Sequence, residues 1–82
     1  MTREEIITRI ASTLTTVLGH GQFEMRDDLE ANQVEGWDSL THMMIITGIE
    51  KEFSVRFKLK EINKLKNMGS LIELVNAKLE TH

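Results

Sequence analysis

The sequence predicts an all-α fold: a small antiparallel four-helix bundle with one short helix and a long loop between the first and second helices. Three observations carry that expectation. Proline is absent, no strong hairpin dipeptide occurs, and three segments place apolar residues at helical spacing, with connections short enough to set neighbouring helices side by side. Across its 82 residues nothing resembles a linker or a low-complexity tail, so residues 1–82 read as a single domain. A core this small leaves little room for an internal substrate cavity, which disfavours a self-sufficient enzyme.

The first helix is predicted over residues 2–18, where Ile6, Ile7, Ile10, Leu14, Val17 and Leu18 share one face. Thr2 and Glu5 stand at capping-box spacing, so each side chain can satisfy a free amide of the first turn. Gly19 and Gly21 supply the stop. Residues 19–38 carry glycines, acids, Asn32 and only scattered apolar positions (Phe23, Met25, Leu29, Val34, Trp37), without a period. They read as a long loop, anchored by Phe23 and Leu29 over the helix ends.

Residues 39–53 return to helical spacing, with Leu40, Met43, Ile46, Ile49 and Phe53 on the apolar side and Met44 and Ile45 broadening it. Thr41, Gly48, Lys51 and Glu52 fall opposite. A short third helix is expected over residues 59–65. The last runs from residue 67 or 70 to residue 79 on Leu71, Ile72, Val75 and Leu79, with Ser70 and Glu73 repeating the capping-box spacing. Met43 and Met68 are expected to fill the core.

Composition removes several classes of chemistry. The chain has no cysteine, hence no disulfide, thiolate metal site or cysteine nucleophile. His20, His42 and His82 lie far apart without ligand spacing, so no metal site is expected. The N-terminus enters an amphipathic pattern without a signal-peptide core, and no apolar run is long enough for a membrane, so a cytoplasmic address is expected. Net charge is −3 but unevenly placed: residues 1–40 hold eight acids and three bases, whereas residues 41–66 hold three acids and six bases. A mildly acidic domain makes a poor nucleic-acid binder. The basic run of Arg56, Lys58, Lys60, Lys64 and Lys66 reads most simply as a solvated helix face and loop.

The informative motif is Gly36-Trp37-Asp38-Ser39-Leu40, where the loop becomes the second helix. Ser39 stands at the helix N-terminus, where free amides and the positive end of the dipole favour a phosphate built on its hydroxyl. Asp38 beside it reads as a cap or as a handle for a modifying enzyme. Taken alone, Ser39 would more often be a plain N-cap. A nucleophilic hydrolase using Ser39 and His42 is disfavoured, because Gly two residues to either side of the serine is missing and no acid is placed to orient His42. Ser12, Ser54 and Ser70 fall in a helix, a turn and a cap.

With Asp38-Ser39-Leu40 opening the second helix after a long loop and an amphipathic first helix, the chain resembles the acyl carrier protein family over nearly its whole length. Leu29 is similar to that family's loop anchor. Ile49-Glu50-Lys51-Glu52-Phe53 resembles the acidic-aromatic end of its second helix, and Val55 and Phe57 resemble the hydrophobic pair that follows. The resemblance implies that a phosphopantetheinyl transferase loads Ser39 with 4′-phosphopantetheine from coenzyme A, with Asp38 and Leu40 flanking the attachment point. It implies a thioester-bound acyl cargo, chemistry carried by acyl-loading, acyl-transfer or synthase partners, and a monomeric carrier that is not itself an enzyme. Partner recognition then falls to Trp37, Thr41, Met44, Glu50 and Lys51. Thr41, Met44 and Lys51 stand where fatty-acid-synthesis carriers usually have acids, which points to a specialised member serving a dedicated pathway. A peptidyl or aminoacyl carrier of the same fold, and an unmodified helical interaction module, remain open.

Overall fold

Four α-helices follow in the predicted order: α1 (Arg3–Leu18), α2 (Ser39–Phe53), α3 (Leu59–Asn63) and α4 (Met68–Glu80). They are taken from a computed structural model that describes residues 1–80, among which there is no strand. The Thr2 hydroxyl accepts the Glu5 amide at 3.2 Å and the Glu5 carboxylate accepts the Thr2 amide at 3.0 Å, which closes the predicted capping box. Gly19 ends α1 in the left-handed region and donates its amide to the Thr15 carbonyl at 2.9 Å.

The core forms where three apolar stripes meet. Ile6, Ile10 and Leu14, four residues apart on α1, are fully buried, and α1 packs against both α2 and α4. Ile45, Ile46, Ile49 and Phe53 face them from α2, and Met68, Leu71, Ile72 and Val75 from α4. Leu29, Val34, Val55 and Phe57 close the ends from the connections. At roughly 25 cal/mol per Å² of apolar area, this shared core is the main term holding the helices together. Arg9 to Glu52 at 3.3 Å and Lys78 to Glu61 at 2.9 Å add ion pairs between α1 and α2 and between α4 and α3.

Several expectations need correction. Leu40 and Met43 do not line the core: they are 72% and 48% exposed. At about 100° per residue, the buried face of α2 is centred on Ile46, Ile49 and Phe53. That phase turns Leu40 nearly opposite and brings His42 inward. Met68 does fill the core. The long loop contains a 3₁₀ turn at Ala31–Gln33, and its deep anchors are Leu29 and Val34, with Phe23 only half-buried. The short helix ends at Asn63 rather than at residue 65.

Ser70 does not cap α4. Asn67 does: its Oδ1 accepts the Ser70 amide at 2.9 Å, and Ser70 Oγ accepts the Asn67 amide at 3.1 Å. Two further amides at that helix start are satisfied from the long loop, Met68 N–H by the Leu29 carbonyl at 2.7 Å and Gly69 N–H by the Asp27 carbonyl at 2.8 Å. The loop preceding α2 is thereby tied to the start of α4.

Candidate functional site

The start of α2 is built by a turn and a cap. Gly36 adopts φ 86°, a left-handed conformation that turns the chain into the motif. Its carbonyl accepts the Thr41 hydroxyl at 2.7 Å. Asp38 then caps the helix, its Oδ1 accepting the amides of Leu40 at 3.0 Å and Thr41 at 2.9 Å, while the Asp38 amide donates to Thr41 Oγ1 at 2.8 Å. The Thr41 amide foremost holds the Asp38 carboxyl below its ordinary range.

Ser39 is therefore the first helical residue and not the cap. It is exposed, and its hydroxyl makes no hydrogen bond among the described residues. The expectation of free amides around it is corrected on one point. Those of Leu40 and Thr41 are taken by Asp38, so the pull on an anion here is left to the Ser39 amide and the helix dipole and is opposed by a neighbouring carboxylate.

Trp37 lies half-buried beside the motif, its Nε1 donating to His42 Nδ1 at 3.1 Å with the two rings stacked. His42 makes no hydrogen bond to Ser39 and none to a carboxylate, so the geometry of a serine hydrolase is missing. Sequence reading missed this pairing, although the signal was present: His42 lies on the helical face of Ile46 and Ile49. On the loop side, His20 Nε2 donates to the Glu35 carbonyl at 2.7 Å and His20 Nδ1 accepts the Gln22 amide at 3.0 Å, which braces the approach to the motif.

Ser39 stands on the rim of an open groove of about 520 Å³ lined also by Ala31, Asn32, Trp37, His42 and Met43. Behind Trp37 and His42 is a small, partly open cavity of about 40 Å³, reaching Leu29, Ile46, Met68 and Leu71. That volume is on the order of a few water molecules, so this cavity has no space for an acyl chain.

The other predicted residues divide into two groups. Leu40, Met44 and Lys51 are exposed on α2. Thr41 and Glu50 are half-buried and committed to the scaffold, Thr41 to the cap and Glu50 through Oε2 to the Phe57 amide at 2.8 Å. No group of three potential metal ligands occurs among the described residues; His82 lies outside them.

No protein-family model matches the chain. The fold is that of a holo acyl carrier protein of Geobacter metallireducens, solved in solution by NMR, with a TM-score of 0.85 and 32% identity over 92% of this chain and 86% of that one. The chain belongs to the acyl carrier protein family. The acyl carrier protein of Thermotoga maritima is 25% identical over 77 residues, 94% of this chain and 95% of that protein. A third relative, the non-reducing polyketide synthase pkdA of Emericella nidulans, is 28% identical over 75 residues. These are 92% of this chain but only 3% of that synthase. Family membership agrees with the resemblance carried by the Asp38-Ser39-Leu40 motif, and all relatives named here are matched over more than nine-tenths of the chain.

Proposed function

We propose that this acyl carrier protein receives 4′-phosphopantetheine on Ser39 and presents acyl intermediates to partner enzymes, acting as a carrier and not as an enzyme. The observation that carries the reading is the free, exposed hydroxyl of Ser39 beside a helix cap supplied by Asp38. Because Asp38 and Thr41 hold the turn, Ser39 Oγ is spared any structural duty and stays open to a transferase. Loading forms one phosphoester bond from Ser39 Oγ, breaks the pyrophosphate bond of coenzyme A, and releases adenosine 3′,5′-bisphosphate and the hydroxyl proton. When attached, the arm supplies the thiol that this cysteine-free chain lacks and holds cargo as a thioester. The hydroxyl faces solvent, and the 40 Å³ cavity is too small to enclose a chain, which supports presentation of cargo outside the bundle.

A specialised pathway is the better fit. Met44 and Lys51 present a thioether and a cation where fatty-acid-synthesis carriers usually present acids, and one relative is a polyketide synthase. No helix among the described residues is long and apolar enough to cross a membrane. A single cytoplasmic domain, monomeric while it visits successive enzymes, completes the proposal.

The test is intact-protein mass spectrometry after incubation with coenzyme A and a broad-specificity phosphopantetheinyl transferase, with fragmentation to locate the adduct. A phosphopantetheine-sized increase on Ser39, absent in Ser39→Ala, is expected. A persistently unmodified serine would favour a helical interaction module, and recovery of only aminoacyl thioesters from cells would make the protein a peptidyl carrier.

A further inference from the structure

His42 has one ring nitrogen committed and one to spare. Its Nδ1 accepts the Trp37 indole N–H at 3.1 Å, and the two rings stack. A neutral imidazole carries a single N–H, so an accepting Nδ1 places the proton on Nε2. That N–H has no acceptor among the described residues. Trp37 thus fixes the tautomer of His42 and leaves it a donor unspent by the scaffold.

The donor stands one turn from Ser39. Residues three apart on a helix are surface neighbours, and helical side chains lean toward the N-terminus. His42 shows that lean directly, since it reaches back to Trp37, five residues earlier. Ser39, Trp37 and His42 line the same open groove. A phosphodiester built on Ser39 Oγ calls for donors there. The Leu40 and Thr41 amides are spent on Asp38, whose carboxylate also borders the groove and repels an anion. Among the described residues no lysine or arginine lines the groove, and its unspent side-chain N–H donors are those of Asn32 and His42. Asn32 is exposed, whereas His42 is half-buried and held by the indole. His42 therefore gives up less freedom when it binds.

We propose that His42 Nε2–H donates to a phosphate oxygen of the arm on Ser39, with Trp37 holding the ring in its donating tautomer. His42 is a positioning residue: it sets the direction in which the arm leaves α2 and takes no part in acyl transfer. The inference rests on the carrier reading, because it requires the phosphodiester on Ser39.

The experiment uses the whole 82-residue chain loaded from coenzyme A, with mass spectrometry confirming the adduct on Ser39 in each variant. Imidazole ¹⁵N and ³¹P spectra are recorded at about pH 8, where an imidazole is ordinarily neutral. The unloaded protein is expected to show an unprotonated Nδ1 and a protonated Nε2 on His42. Loading should shift Nε2 and slow exchange of its proton with water about tenfold, as a hydrogen bond to an anion does. His42→Phe, which keeps a ring beside Trp37, should move the ³¹P resonance, and His42→Gln, which can still donate, should return it toward the parental position. Trp37→Phe should move it in the same direction as His42→Phe, and Asn32→Ala should leave it in place. Circular dichroism checks that each variant folds, and the exchange measurement on the parent protein decides where one does not. A chain that does not load removes the carrier reading and this inference together. In the loaded protein, an Nε2 proton that exchanges at its unloaded rate, a ³¹P resonance indifferent to His42→Phe, or one moved by Asn32→Ala instead would each overturn this inference alone.

Discussion

The Gly69 amide donates to the Asp27 carbonyl across 2.8 Å, and a side chain at residue 69 would sit 3.0 Å from both that oxygen and Asp27 Cβ. The start of α4 therefore approaches the backbone of the long loop at the one position where the helix has no Cβ. Replacing a helical glycine by alanine ordinarily stabilises by about 1 kcal/mol. Here Gly69→Ala is expected to destabilise by about 1–3 kcal/mol, because backbone must move. Urea unfolding checks the sign, and a stabilised variant would mean that the loop yields freely.

Asp38, and not Ser39, carries the cap of α2. Asp38→Ala removes the acceptor of two amides and should cost about 1 kcal/mol. Ser39→Ala removes an exposed hydroxyl and should change stability by less than about 0.5 kcal/mol. Paired denaturation curves decide the matter, and the opposite order would return the cap to Ser39.

Three carboxylates titrate below their ordinary values because they accept backbone amides: Glu5 from Thr2, Asp38 from Thr41 and Glu61 from Lys58, with Lys78 adding to the last. A lowered folded value makes their contribution complete above the ordinary values of 3.8 for Asp and 4.5 for Glu, and lost as pH falls through the folded ones. Urea midpoints should therefore fall on acidification below about pH 4.5. Asp38→Asn should make that fall shallower, and an unchanged profile would remove Asp38 from the acid response.

Leu40 is apolar but carries no core load. Leu40→Asp should fold with stability within about 0.5 kcal/mol of the parent, helped by an acid in the first turn. Ile46→Ala, deep in the core, should lose about 2–5 kcal/mol. Thermal melts of the two variants test the phase assigned to α2.

Trp37 is the only tryptophan, and its indole donates to His42 at 3.1 Å. His42→Ala deletes both the acceptor and the stacked ring, so Trp37 emission should shift to the red as water reaches the indole. Stability should drop by about 1–2 kcal/mol. Unchanged emission would mean that the pair does not close the cavity behind it.

Much of this protein was legible from the chain itself. The period of Ile6, Ile10 and Leu14, the Thr2 and Glu5 box, the break at Gly19 and the helix beginning at Ser39 all depend on residues within about four positions of one another, the range over which helical spacing and capping act. The four-helix class and the resemblance carried by Asp38-Ser39-Leu40 followed from that local information. Packing decided the rest. Which side of α2 faces inward depended on where α1 and α4 press against it, so Leu40 and Met43 were read as core and His42 was not. Asn67 displaced Ser70 as the α4 cap because Met68 and Gly69 are held by loop carbonyls some forty residues earlier. The commitment of Glu52 to Arg9 and of Glu61 to Lys78 arises from side chains 43 and 17 positions apart. Such pairs exist only once the helices are docked, and no local pattern in the sequence encodes them.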